Sequence, residues 1–332
     1  MYYLIGITLL LTFLFVINIT SAIATALLWR VISKPAYDWS PRKRSTLLFS
    51  LRIFPIVTAL IYSFGLALPA YILFEPNVTE ETIGYKQWIL VAACALGFAI
   101  ASFRVFGSWW QTRRLTAQWL NDAEPIDIKD IDLPSFKVHH EFPVFAVVGV
   151  RNPRLFVAEQ VLEMLDSNEL SAVIKHELGH LAALDNLKRV TMHLCGDLLL
   201  FPVGRNLDHV WTEASEVAAD EFAVDRGGRS SALSLASALI KIARVIPTHR
   251  LSALPIGAFA VQQDGELLAT RIRRLVTLAD SHDGPSVTAV SRRVRISGTL
   301  IAVAFVTATL ALDTYLLSHI HDFSETLLET LR

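Results

Sequence analysis

Four apolar stretches limit what this chain can fold into: YYLIGITLLLTFLFVINITSAIATALLW (2–29), IFPIVTALIYSFGLALPAYILF (53–74), WILVAACALGFAIASFRVFGSW (88–109) and ISGTLIAVAFVTATLALDTYLL (296–317). A helix needs roughly 20 apolar residues to cross a bilayer's hydrocarbon, where unpaired backbone groups are too costly for any open structure. Each stretch therefore reads as a transmembrane helix. Composition agrees, with 53% hydrophobic and only 18% charged residues, more apolar than a soluble domain. The formal net charge of -1 gives no electrostatic reason to expect direct nucleic-acid binding. Cys94 and Cys195 read as small buried hydrophobes rather than a disulfide framework.

Orientation follows from the basic residues of the short connections, which stay in the cytoplasm. Arg30, Lys34, Arg42, Lys43, Arg44 and Arg52 flank or occupy the first connection against a single acid, Asp38. The second connection is acidic, with Glu75, Glu80 and Glu81 against Lys86. Arg113 and Arg114 follow the third stretch, and Arg292, Arg293 and Arg295 precede the fourth. The expectation is three spans within 1–109, a cytoplasmic domain over 110–295, a fourth span at 296–317 and a short outer tail at 318–332. Both termini then lie outside. Alanines 22 and 24 superficially resemble a signal-peptide cleavage site, but no basic segment precedes the apolar run and the positive charges come after it. Asn18 and Asp313, polar residues at lipid depth, read as structural: Asn18 bonding between helices, Asp313 near the outer interface.

The inserted domain opens with NDAEPIDIKDIDLPSF (121–136), which reads as a polar linker. VFAVVGV (144–150) and RLFV (154–157) are short β-branched and aromatic runs around an Asn-Pro turn, predicting a hairpin or small sheet. Asp166, with Glu169 three residues on, marks a helix start before an apolar rhythm running through Leu184. On that helix KHELGHLAALDNLKR (175–189) sets His176 and His180 one turn apart, so both imidazoles can reach one point. Two imidazoles on a rigid helix suit Zn2+, and Glu177 between them suits a general base acting on water.

A catalytic zinc needs a third protein ligand. WTEASEVAADEFAVDRGG (211–228) reads as a second helix, with Thr212 as N-cap and Gly227-Gly228 as its stop. Glu216 is the expected third ligand, and Asp220, one turn on, the group that orients a zinc histidine. Asp185 is a second candidate for such orienting work. Ala218 and Ala219 are small enough to let the two helices approach closely. His209 and Arg271 are the candidates for stabilising an oxyanion. TMHLCGDLLLFPVG (191–204) is too short and too interrupted to span, and reads as a buried or interfacial segment holding the site near the membrane.

These residues, HELGHLAALDNLKR followed by EVAADEFAV with PRLFVAEQVLEML and DSNELSAVIK ahead, resemble the BlaR/MecR family of membrane zinc peptidases. The resemblance implies an α-helical membrane protein with a mainly α, gluzincin-like (α+β) protease domain inserted before the last helix. It implies a multi-pass protein of a bacterial inner membrane whose cytoplasmic site cleaves a protein, such as a transcriptional repressor, controlling gene expression. It matches His176, His180 and Glu216 to the family's ligands and Glu177 to its catalytic glutamate. Only LSHIHDFSETLLETLR follows the fourth stretch here, so a β-lactam-binding sensor domain is not expected in this chain. Two other readings stay open: a housekeeping membrane protease similar to the CAAX-processing and heat-shock-induced group, and a non-catalytic membrane scaffold with structural zinc. Glu177 argues against the scaffold, since a structural site has no use for a general base.

Overall fold

The first apolar stretch forms α1 (Tyr2–Tyr37), which continues well past its predicted end. At about 1.5 Å per residue this helix exceeds the roughly 30 Å of a hydrocarbon core, so one end projects beyond it. In the computed structural model, residues 2–75, 84–128, 131, 133–140, 143–150, 152–197, 205–245, 265–280 and 313–331 are described. α2 (Pro41–Tyr62) starts on a proline at its first turn, where a missing N–H removes no intrahelical bond. It runs through a π-helical turn, Ser63–Ala67, into α3 (Leu68–Phe74). Pro69 accounts for the wide turn, because its ring would clash with the carbonyl four residues earlier in a regular helix. The third apolar stretch lies in α4 (Tyr85–Asn121). Among the described residues, three helices, 2–37, 41–74 and 85–121, are long and apolar enough to cross a membrane.

The predicted fourth span lies outside the described residues except at 313–317. There Asp313 acts as a helix cap: its Oδ1 accepts from the N–H groups of Tyr315 at 3.0 Å and Leu316 at 3.1 Å. The residues of the expected tail lie in α10 (Thr314–Leu331), which packs against α3 and the π-helical turn. A carboxylate suited to the free N–H groups of a helix start explains the boundary. Asn18 is only 3% exposed, and its Oδ1 has no hydrogen-bond partner among the described residues, so the expected bond between helices is not formed there.

The small sheet has the order β1-β2-β4-β3 (Glu124–Ile126, Ser135–Val138, Arg154–Ala158, Phe145–Val148). The predicted hairpin is β3 and β4, antiparallel, with Phe145 opposite Val157 and Val148 opposite Arg154. β2 lies parallel to β4, and β1 antiparallel to β2. The segment 121–136 is therefore not merely a linker. Its Ile126, Leu133 and Phe136 pack on the domain core, and Lys137 bridges Glu124 at 2.8 Å and Glu159 at 3.2 Å. Phe156, Val157, Ala158 and Val161 are fully buried at the centre of that core.

Beyond the short α5 (Glu159–Met164), the predicted capping box opens α6 (Ser167–Ala183). Asp166 Oδ1 accepts from the N–H groups of Asn168 and Glu169, and Glu169 Oε2 accepts from Asp166 N–H at 2.9 Å. Buried Glu169 also accepts from Ser237 Oγ at 2.6 Å and Lys241 Nζ at 2.7 Å, tying α6 to the long helix α8 (Arg205–Val245). α6 stops at Leu184, which adopts the left-handed conformation with φ 58°, a cost of about 1–2 kcal/mol for a residue with a Cβ. The chain resumes as α7 (Asp185–Asp197), packed on α4 and α2. This helix contains the first half of the predicted buried or interfacial segment; residues 198–204 lie outside the described set. α9 (Gly265–Asp280) then packs along α8.

One expectation for α8 is corrected. Thr212 lies inside the helix and donates its hydroxyl to Asp208 O at 3.0 Å, instead of capping a start. Gly228, at φ 72° and ψ -170°, is non-helical and divides α8 into two helical halves, so the expected stop falls where Gly227-Gly228 placed it. Glycine tolerates that geometry, and the apolar face beyond it, including Ala232, Leu235 and Leu239, resumes packing on the core. Of the two alanines, Ala219 makes the close approach: a Cβ on Gly179 would lie 3.1 Å from its Cα.

Candidate active site

The left-handed turn at Leu184 brings the start of α7 back against the helix that precedes it. Asp185 Oδ2 lies 2.9 Å from His180 Nδ1, while Lys188 donates to Asp185 Oδ1 at 3.1 Å. On the other side Asp220 Oδ1 lies 2.9 Å from His176 Nδ1. A carboxylate thus lies beside each Nδ1, and an imidazole whose proton is held on that side turns a bare Nε2 inward when a metal binds.

Those two Nε2 atoms are 3.2 Å apart, and the Glu216 oxygens lie 3.6 Å from each of them. A tetrahedral zinc with bonds near 2.0–2.1 Å separates its ligand atoms by about 3.4 Å. Three electron-pair donors at these spacings repel one another unless a cation lies between them, so the donor set fits a divalent ion. The same three residues form one of two candidate metal-binding groups among the described residues. The sequence-predicted residues His176, His180, Glu216, Asp220 and Asp185 are thus brought together, with Glu177 beside them.

Arg271, one of the two oxyanion candidates, lies among carboxylates. It is 1% exposed, and its guanidinium donates Nε and Nη2 to the two Asp220 oxygens at 2.7 and 2.6 Å and Nη1 to Glu216 Oε2 at 2.8 Å. It holds carboxylates in place and is not available as the oxyanion group the sequence suggested. His209, the other candidate, is largely exposed and pairs with Glu213 at 3.3 Å. No local signal links Arg271 to residues 216 and 220; only the packing of α9 on α8 does.

The electrostatics follow from these contacts. Burial alone would raise the Glu216 carboxyl, but Arg271 and the two histidines hold it well below the usual range. Asp220 is lowered in the same way, its desolvation outweighed by Arg271 and His176. Burial opposes charge on His176, yet Asp220 and Glu216 push it up to about 9. Surroundings that favour positive charge so strongly also favour a metal cation. Glu177 goes the opposite way: burial raises its pKa against the pull of His180 and His176. It therefore sits nearer neutrality than an exposed glutamate, as a group that takes and returns a proton should.

Glu177 Oε2 accepts from Val147 N–H at 3.4 Å, and Asn186 Nδ2 donates to Val147 O at 3.0 Å. β3 is the outer strand of its sheet, and Val144 and Val147 bond on opposite sides of it. By strand alternation Phe145 turns its N–H and C=O to the same open side as Val147. The cleft between this edge and the histidines is also lined by Thr212 and Arg189. Asn186 and Arg189 were missed in the sequence. Their only signal is helical spacing within DNLKR, with Arg189 one turn past Asp185. Arg189 is 8% exposed and lies over the Trp211 ring at 5.7 Å; burial lowers its pKa against the attraction of Glu216, Asp185 and Glu177.

Comparison with known proteins gives one family. The profile of Peptidase family M48 matches residues 110–287, more than half of the chain and the whole of this site. No curated protein matches. The match carries a metallopeptidase assignment and does not extend to the narrower BlaR/MecR resemblance. With more than half of its length matched, the chain belongs to Peptidase family M48, whose peptidases depend on a metal ion.

Proposed function

We propose that this protein is a membrane-anchored zinc endopeptidase cleaving an extended segment of a cytosolic or membrane-proximal protein. The convergence of His176 Nε2, His180 Nε2 and Glu216 with Glu177 alongside carries the reading. These three ligands would hold the zinc, which supplies Lewis-acid polarisation of the scissile carbonyl and of the attacking water. Glu177 takes the proton from that water and returns it to the departing amine. Asp220 and Asp185 keep the Nδ1 protons in place so that both imidazoles present a lone pair. Arg271 keeps the Glu216 and Asp220 carboxylates ionised and fixed. A substrate strand adds to the open edge of β3 through the Phe145 backbone groups, which reads extended shape more than side-chain identity.

The basic connections favour a cytoplasmic position for the catalytic domain. The proposed substrate is a regulator of gene expression. A housekeeping protease of membrane proteins is the second reading, favoured by an edge strand that recognises backbone. Metal analysis and cleavage of an unfolded protein by the full-length chain in detergent test the chemistry. Glu177→Gln should keep one zinc per chain and lose about 10²–10⁴-fold in rate, whereas His176→Ala should lose the zinc. An equally active Glu177→Gln protein defeats the mechanism. Comparing cytosolic fragments in cells carrying the active and Glu177→Gln forms separates the substrate readings: one cleaved regulator, or many membrane proteins.

A further inference from the structure

Arg52 precedes the apolar run 53–74 directly, where a basic residue ordinarily needs no role beyond facing the cytoplasm. Yet it is 5% exposed. Its Nε donates to Asp208 Oδ1 at 2.6 Å and its Nη2 to Asp208 Oδ2 at 3.3 Å, joining α2 to the first turn of α8. The same Nη2 fills the place a side chain would take at Gly196, in the last turn of α7. One guanidinium from a membrane helix thus closes on two catalytic helices. α7 begins with Asp185, which orients His180, and α8 carries Glu216 about two turns beyond Asp208. Around this contact Trp29 and Leu48 of the membrane helices share a core with Met192 of α7 and Trp211 of α8.

We propose that Arg52 is a positioning residue for the metal centre, setting the relative placement of α7 and α8 and through them of His180 and Glu216. The proposal rests on reading His176, His180 and Glu216 as a zinc site. The catalytic geometry is then completed by the membrane helices, and the domain over 110–295 is not a self-sufficient enzyme. Displacing a ligand by about 1 Å can cost on the order of 10²-fold in rate, and loss of an outer-shell partner about 10–100-fold in metal affinity.

The test uses the full chain in lipid nanodiscs, with zinc affinity measured by chelator competition and kcat and KM measured well below each variant's Tm. The variants are Arg52→Gln, Arg52→Lys, Asp208→Asn and Gly196→Ala. Gly196→Ala improves helix propensity while pushing the guanidinium away, so it remains informative if the charge variants fail to fold. The expected result is a loss of zinc affinity of about tenfold or more with lower kcat and nearly unchanged KM, and partial recovery in Arg52→Lys. A folded Gly196→Ala protein with wild-type zinc affinity and kcat overturns the proposal, because Arg52 would then be structural only. If the wild-type chain binds no zinc, the function reading has failed first, and that outcome is visible in the same titration.

Discussion

The threonines of α1 and the charged groups of the catalytic helices are satisfied in different ways. In α1 the hydroxyls of Thr8, Thr20 and Thr25 bond back to carbonyls of their own helix at 2.8–2.9 Å, asking nothing of a neighbour. α4 turns most of its apolar surface outward, with only 17% of its most apolar window buried. In the catalytic region Glu169, His176, Asp185, Asp220 and Arg271 are all 7% exposed or less, and each depends on a partner from another helix or turn. The difference follows from the chemistry of the groups: a hydroxyl can bond a carbonyl of its own helix, whereas a buried charge needs opposite charge supplied from elsewhere.

The largest expected effect that would break this comparison is at Arg271. Arg271→Met leaves the Asp220 and Glu216 carboxylates buried together without their cation, and removing one partner of a buried ion pair costs about 3–5 kcal/mol. Thermal denaturation should show a large fall in Tm; a change of a degree or two would mean that the buried charges are not mutually dependent. Next is Asp185→Asn, which weakens the hold on the His180 tautomer and should cost about 10–100-fold in zinc affinity. Chelator competition reads this directly, and unchanged affinity would remove Asp185 from the site.

A smaller effect is expected at Glu169, whose folded pKa is lowered from 4.5: desolvation acts against the shift, and Lys241, Ser237 and the Asp166 N–H outweigh it. A carboxyl lowered on folding stabilises fully above its unfolded value and loses that contribution as pH falls through its folded value. Stability should therefore decline below about pH 4.5 in the wild type, and Glu169→Gln should flatten that part of the Tm profile. A slope unchanged by the substitution would locate the acid sensitivity elsewhere. The smallest effect is Thr20→Val in α1, expected within about 0.5 kcal/mol, since it removes one self-contained bond. A loss of several degrees in Tm there would show that α1 depends on Thr20 for more than that local bond.

The same contrast explains what the sequence disclosed. Periodicity and charge were enough for the first three apolar helices, because lipid imposes the rule residue by residue. The His-Glu-x-x-His helix, its capping box and the Glu216 to Asp220 spacing are local patterns, and the structure brings all of these residues together. Arg271, distant in sequence, and Arg52, disguised as a basic loop residue, became visible only when helices packed. Thr212 misled because a threonine before an apolar face reads as a cap, and nothing nearby in the sequence reveals a helix already under way. Asp313 was masked by the apolar run before it, although an aspartate just ahead of a helical rhythm is a start signal.

An outer strand waiting for a guest is also an invitation to a neighbour. Unpaired edges of sheets nucleate clumping between molecules unless something shortens or screens them. Asn186 occupies the carbonyls of Val147 and Gly149, at 3.0 and 3.5 Å, so the receptive part of β3 shrinks towards its Phe145 end. Under the proposed strand addition, a stretch that brief would grip one substrate strand while offering too little ladder for two copies of the protease to zip together.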